Sequence, residues 1–341
     1  MDSIAELQRT IAALVQAPKG LLAADESIPT IAKRFASIGL ESTEATRRAW
    51  RDVLLSADGL AESVSGVILH EETLGQQSAD GTPFPQLLER RGIVPGIKVD
   101  AGKGPLANAP GDEITEGLDG LAKRLRRYRE QGARFTKWRA VYNVSPTLPS
   151  ALAIDANAHA LARYAAICQN EGFVPIVEPE VLIDGEHSIE RCNEVSEQVL
   201  HAVFDALHRQ RAVLECLLLK PSMVLPGKSA RKAPPEEVAK HTIAVLRRTV
   251  PAAVPGIFFL SGGQTPEEAT ANLDAMNRLG PQPWVLSFSY ARALQEPALS
   301  AWRGDAANAQ AAQRALVHRA RMNALAREGR YEAAMEGANA R

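Results

Sequence analysis

Lys220 stands inside LECLLLKPSMVL (214–225), behind three leucines and ahead of a proline. The leucine run has the character of a fully buried strand, so the amine arrives where charge is costly. Burial favours the neutral form of an amine, and a neutral amine can attack a carbonyl to form a Schiff base. The bland alternative is a strand-end lysine that snorkels to solvent. Other charges also fall at the ends of apolar runs: Asp25 and Glu26 after GLLAA, Lys98 and Asp100 in GIKVD, Lys137 and Arg139 in TKWRA, Glu178 and Glu180 in VEPE. Residues two apart on a strand share a face, so each of the last three sets presents a pair to one side. One such pair reads as a structural ion pair. Five apolar strands that all end in charge point instead to a common pocket. Carboxylates in such a pocket can serve as general acid and base beside the amine.

Two further groups suit anions. Ser261-Gly262-Gly263 closes an apolar run ahead of a helical segment, where converging backbone N–H groups can form an anion nest. SFSYAR places Arg292 just beyond the last apolar run. Ser27, Arg34, Lys98 and Arg139 can supply a second anion site, and a substrate with a phosphate at each end fits that layout. The seven histidines form no close pair at ligand spacing, and only His70 lies near a strand end, so no metal is expected. The chain contains no GxGxxG, no P-loop and no GxSxG.

The elements that must hold these groups are legible in the hydrophobic pattern. Eight apolar units recur: residues 20–27, 66–74, 92–100, 133–142, 173–182, 214–223, 256–263 and 283–290. Amphipathic helical segments lie between them, such as TEATRRAWRDVLLSA and TPEEATANLDAMNRLG. The latter opens with Thr265 as N-cap, Pro266 at the first helical position and Glu268 completing a capping box. Eight strands alternating with helices predict an α/β fold, a (β/α)8 TIM barrel, with a doubly wound open sheet as the alternative. A barrel gathers functional groups at the C-terminal ends of its strands, where the charges fall. A lead-in helix is expected over residues 4–16, capped by Ser3 and Glu6, and a last long helix over 305–328. Residues 226–240 read as a surface loop leading into a helix at Pro234–Glu237, and 331–341 as a small polar tail expected to be mobile. The whole chain, 1–341, reads as one domain with its barrel strands between about 20 and 290.

Composition narrows the function. Lys plus Arg number 39 against 40 Asp plus Glu, for a net charge of −1 without long runs of one sign. Neither nucleic acid nor an anionic membrane is an expected partner. No apolar stretch approaches the ~18 residues of a membrane span, and the N-terminus, with acids among its first residues, does not read as a signal peptide. A cytoplasmic protein is expected. Cys168, Cys192 and Cys216 form no CxxC and read as reduced core thiols.

At this point the chain resembles the class I, Schiff-base, fructose-bisphosphate aldolases. LLAADES, GIKVD, GLDGLAKR, TKWR, PSALAI, LARYA, VPIVEPE, LLLKPSMV, FLSGGQ and SFSYARALQ occur in that family's order over nearly the whole length. The resemblance implies a (β/α)8 barrel that cleaves fructose 1,6-bisphosphate reversibly to dihydroxyacetone phosphate and glyceraldehyde 3-phosphate, without metal or cofactor, as a homotetramer. It implies Lys220 as the Schiff-base residue and Glu178 as general acid/base with Glu180 beside it, Asp25 and Lys137 completing the catalytic group. For phosphate binding it implies Ser261, Gly262, Gly263, Ser289 and Arg292, together with Ser27, Arg34, Lys98, Arg139 and Arg47. Three departures stand out. The family's SYGR is SYAR here, and Ala291 keeps the N–H while resisting positive φ. The chain's last tyrosine is Tyr331, so it lacks the terminal tyrosine to which animal members assign enamine proton exchange. DES continues as IPT, leaving Thr30 as the hydroxyl. The rivals are another Schiff-base barrel enzyme of sugar phosphates, transaldolase-like, and a catalytically silent barrel that binds sugar phosphates or a protein partner.

Overall fold

The computed structural model describes residues 2–339, with side chains over 4–337. Eight parallel strands close into a barrel: β1 (Gly20–Ala24), β2 (Val64–Leu69), β3 (Val94–Lys98), β6 (Phe135–Tyr142), β7 (Val174–Val181), β8 (Leu218–Leu219), β9 (Gly256–Phe259) and β10 (Val285–Tyr290). β4 (Lys103–Pro105) and β5 (Glu113–Thr115) form a separate antiparallel hairpin between β3 and β6. All eight expected strands are present. The seam closes between β10 and β1, where Leu21 pairs with Ser289 and Leu22 with Tyr290.

Each strand alternates between two environments. Leu22, Ala24, Trp138, Val177 and Leu219 face outward and pack under the surrounding helices. Leu21, Ala23, Phe135, Val174, Ile176, Leu218 and Phe258 point into the barrel, where Leu7, Ile11 and Leu14 of the lead-in helix meet them. That helix, Asp2–Leu14, plugs the N-terminal end of the barrel with its apolar face. The period-2 rule then sends the next inward residues upward as Asp25, Lys137, Glu178 and Lys220. The interior is apolar below and charged above, which fills the core at one end and leaves chemistry at the other.

Local sequence explains the termini. Thr265 caps the helix Pro266–Arg278 through a capping box with Glu268, and Pro266 supplies the fixed φ of the first turn. The side chain of Ser3, half of the expected Ser3–Glu6 box, lies outside the described residues; the helix spans Asp2–Leu14, and Glu6 pairs with Arg129 at 2.6 Å. The leucine run of 214–219 yields only a two-residue strand because 214–216 turn into a 3₁₀ helix and Pro221 has no N–H to extend the ladder. Lys220 N still donates to Val177 O at 2.8 Å, which fixes the amine's backbone.

Toward the C-terminus Tyr331 is buried, its hydroxyl donates to Glu336 at 2.8 Å, and the Glu336 carboxylate pairs with the buried guanidinium of Arg319. Residues 333–339 form a 3₁₀ helix. Through these contacts residues 331–337 form an ion-paired strap against the helix Ala309–Arg327. Among the described residues no helix is long and apolar enough to cross a membrane.

Candidate active site

A cavity of about 830 Å³ opens at the C-terminal face of the barrel. Its floor is an alternating chain of opposite charges. Lys220 Nζ lies 3.0 Å from Glu178 Oε1, Lys137 Nζ lies 3.3 Å from Glu178 Oε2, and Lys137 Nζ lies 2.6 Å from Asp25 Oδ2. All four residues are buried. Lys137 on β6, Glu178 on β7 and Lys220 after β8 come from three consecutive strands, and Asp25, after β1, meets Lys137 across the barrel mouth.

Burial raises the Asp25 pKa, but the charges of Lys137 and then Lys220 outweigh it and hold the carboxyl well below the usual range. Burial likewise works against the Lys137 ammonium, and Asp25 followed by Glu178 more than offsets this, pushing its pKa upward. Asp25 and Glu178 thus hold Lys137 as an ammonium. Lys220 pairs with Glu178, whose carboxyl lies 3.0 Å from its amine.

Glu180 is placed by Arg139, whose Nε donates to its carboxylate. Burial lowers the Arg139 pKa, but Glu180 outweighs this and raises it. Glu180 in turn explains Gly262: a Cβ built there would lie 2.8 Å from Glu180 Oε1. Gly263 has φ +74° and a Cβ would meet Ile183, so the turn requires glycine there, while at Gly262 a Cβ would have to displace the ends of the Glu180 and Leu260 side chains. Ser261, Ser289 and Arg292 complete this side of the cavity. The Ser289 hydroxyl is buried and makes no hydrogen bond to a described residue. Arg292 donates to Gln264 O at 3.0 Å and begins a helix after Ala291. Ala291 has φ −100°, so no left-handed conformation is needed and alanine is tolerated there.

Ser27, Thr30 and Arg34 after β1, Lys98 on β3 and Arg139 on β6 also line the cavity. Ser27 Oγ lies 2.9 Å from Thr30 Oγ1, and Lys98 Nζ lies 2.6 Å from Asp100 Oδ1. Arg34 is held by Glu26, which also receives Arg51 Nη2 at 2.7 Å. The structure thus brings every candidate to one cavity except Arg47. That guanidinium makes two hydrogen bonds to the Glu72 carboxylate, at 2.8 and 2.6 Å, and is absent from the cavity lining. Tyr331 also lies elsewhere, its hydroxyl committed to Glu336.

Several lining residues carried no readable sequence signal. Lys33 lies in the helix Ile28–Ala36 beside Arg34, while Lys103 and Thr115 come from the β4–β5 hairpin. The segment that builds the hairpin is rich in glycine and proline and lacks period-2 apolar alternation, so it reads as loop. Glu26 was visible as part of DES; of its partners, Gln295 closes the SFSYARALQ motif without any sign of its contact, and Arg51 sits inside an amphipathic helix where nothing marks it.

Fold and cavity together define a class: a (β/α)8-barrel enzyme with buried lysines and carboxylates on its floor and arginine, lysine and serine side chains around its mouth. Residues 6–341 match the family described as fructose-bisphosphate aldolase class-I. Fructose-bisphosphate aldolase C of Rattus norvegicus is 53% identical over 331 residues, covering 96% of this chain and 91% of that protein. The cytoplasmic isozyme of Spinacia oleracea is 53% identical over 323 residues, 94% of this chain and 90% of its own. The crystal structure of fructose-bisphosphate aldolase from Plasmodium falciparum, in complex with TRAP and a small-molecule inhibitor, superposes with a TM-score of 0.96 at 48% identity, covering 97% of this chain and 96% of that one. The chain belongs to the class I fructose-bisphosphate aldolase family.

Proposed function

We propose that the protein cleaves fructose 1,6-bisphosphate reversibly to dihydroxyacetone phosphate and glyceraldehyde 3-phosphate through a Schiff base on Lys220, as a glycolytic and gluconeogenic lyase. The observation that carries this reading is the buried Lys220–Glu178–Lys137–Asp25 chain in a cavity also lined by Arg34, Lys98, Arg139, Ser261, Ser289 and Arg292. Breaking C3–C4 of a ketose leaves an electron pair on C3, and an iminium at C2 takes up that charge. The Lys220 amine adds to the C2 carbonyl to give a carbinolamine. Glu178 donates the proton with which water leaves, forming the iminium. Glu178, as carboxylate, then accepts the C4 hydroxyl proton, the C3–C4 pair moves into the iminium, and the aldehyde departs from an enamine. Protonation at C3 and hydrolysis return the amine. Asp25, held ionised, can orient the C4 hydroxyl or accept its proton, and the Lys137 ammonium stabilises negative charge nearby. The phosphates anchor the sugar, one against Ser261, Gly262, Gly263, Ser289 and Arg292, the other against Ser27, Arg34, Lys98 and Arg139.

The test is mass spectrometry after incubation with dihydroxyacetone phosphate and borohydride in EDTA. One reduced adduct on Lys220 is expected. No adduct, or an adduct on Lys137, overturns the assignment. Lys220→Arg should abolish cleavage with the fold retained, and Glu178→Gln should slow turnover by roughly 10²–10⁴, the range of a positioned acid/base. A cytoplasmic location and a homotetramer belong to the same reading. The first is supported by the cytoplasmic spinach relative, and the second is checked by light scattering.

A further inference from the structure

We propose that Gln295 is a positioning residue that fixes the Glu26 carboxylate and, through it, presents the Arg34 guanidinium at the cavity rim for a substrate phosphate. The inference rests on the bisphosphate reading above and adds a residue outside the cavity lining.

Gln295 lies in the first turn of the helix Arg292–Trp302 and is 2% exposed. A primary amide buried so deeply has to be satisfied, and this one is. Its Nε2 donates to Ala23 O at 2.6 Å and to Glu26 Oε1 at 2.8 Å. Its Oε1 accepts from Trp50 Nε1 at 3.2 Å, and Trp50 is itself stacked on Trp302 with ring centroids 5.1 Å apart. The indole can only donate, so it dictates which end of the amide faces Glu26. The amide therefore bridges the β10–β1 seam, from the helix that begins at Arg292 to the segment that carries Asp25, Glu26 and Ser27.

The charge balance around Glu26 shows what the bridge is for. Glu26 receives two guanidiniums: Arg51, 3% exposed, and Arg34, whose side chain is 21% exposed and lines the cavity. Buried Arg51 offsets the carboxylate's charge. Arg34 is aimed by Glu26 without being neutralised, so a net positive charge faces the cavity. Gln295 is neutral and adds a hydrogen bond to the same oxygen that holds Arg34 without changing that sum. With Gln295 and Arg51 fixing the carboxylate, an arriving phosphate meets a guanidinium already ordered, which removes an entropic cost from binding.

Steady-state cleavage of fructose 1,6-bisphosphate by the full chain, by Gln295→Met, by Arg34→Met and by the double variant tests this. Methionine keeps the volume and deletes the hydrogen bonds. Gln295→Met should raise KM about tenfold with little change in kcat. The double variant should show the KM of Arg34→Met alone, since the amide acts only through that guanidinium. KM increases that multiply in the double variant, or a lowered Tm with unchanged KM, assign Gln295 a packing role and overturn the proposal. Trp50→Phe keeps the aromatic stack but removes the donor that orients the amide. It should give a smaller KM rise that vanishes in the Arg34→Met background, and no rise counts against the proposal. A parent enzyme that does not cleave the bisphosphate overturns the functional reading itself, whereas an active parent with independent effects sinks this inference alone.

Discussion

At Asp25 burial and the neighbouring lysines, Lys137 above all, act in opposite directions, and the lysines prevail. Its pKa is lowered on folding, so the stability it contributes is present in full above the ordinary aspartate value of about 3.9 and is lost as pH falls through the depressed folded value. Asp25→Asn breaks a buried pair with Lys137 and should cost about 3 kcal/mol at pH 7. The gap between variant and parent should be narrower at pH 3. Urea midpoints at the two pH values check this, and an undiminished gap at pH 3 would show that the pair does not act through ionisation of Asp25. The identity of the site charges was readable from the sequence because each interrupts an apolar run. The pairing of those charges was not: only the fold places Lys137 between Asp25 and Glu178, which hold it as an ammonium.

The turn after β9 and the start of the helix after β10 both line the cavity, and they respond differently to substitution. Gly262→Ala places a methyl group against Glu180 Oε1 and Leu260 Cδ1. The Glu180–Arg139 pair must then move, and kcat/KM for the bisphosphate should fall between about tenfold and 10²-fold, the cost of a misplacement near 1 Å. Ala291→Gly should leave phosphate affinity unchanged, because φ is −100° and alanine is unstrained there. Equilibrium binding of inorganic phosphate compares the two, and a large gain for Ala291→Gly would mean the N-terminal turn of that helix is strained by the methyl group. At this scale the strands and Thr265 cap were legible, since periodicity and capping chemistry are local. The β4–β5 hairpin was not, because its pairing of Lys103 with Thr115 depends on a fold-imposed approach over β6 rather than on its own residues.

For the whole molecule, the lead-in helix closes one end of the barrel and the terminal strap ties the outer helices. Glu336→Ala removes the partner of Arg319, whose guanidinium is buried and retains only Thr270 and Pro266 as acceptors alongside a more distant Glu267. Tm should fall by about 5 °C while kcat is unchanged, because the strap does not line the cavity. Differential scanning calorimetry with a parallel activity assay checks both, and a loss of kcat without a loss of Tm would place the strap in the catalytic cycle.

The sequence by itself determined the eight-strand barrel, the end of the barrel that carries chemistry, and the charged residues gathered there, because inward and outward faces alternate with a period of two. Its motif order also carried the family. Tertiary structure alone decided which charges pair with which, that Arg47 turns to Glu72, that Tyr331 and Glu336 fasten the strap, and that Gln295 reaches Glu26 across the seam. Those contacts join residues far apart in the chain, up to 269 positions in the last case. No local pattern encodes such a distance, and only closure of the barrel brings its first and last strands together.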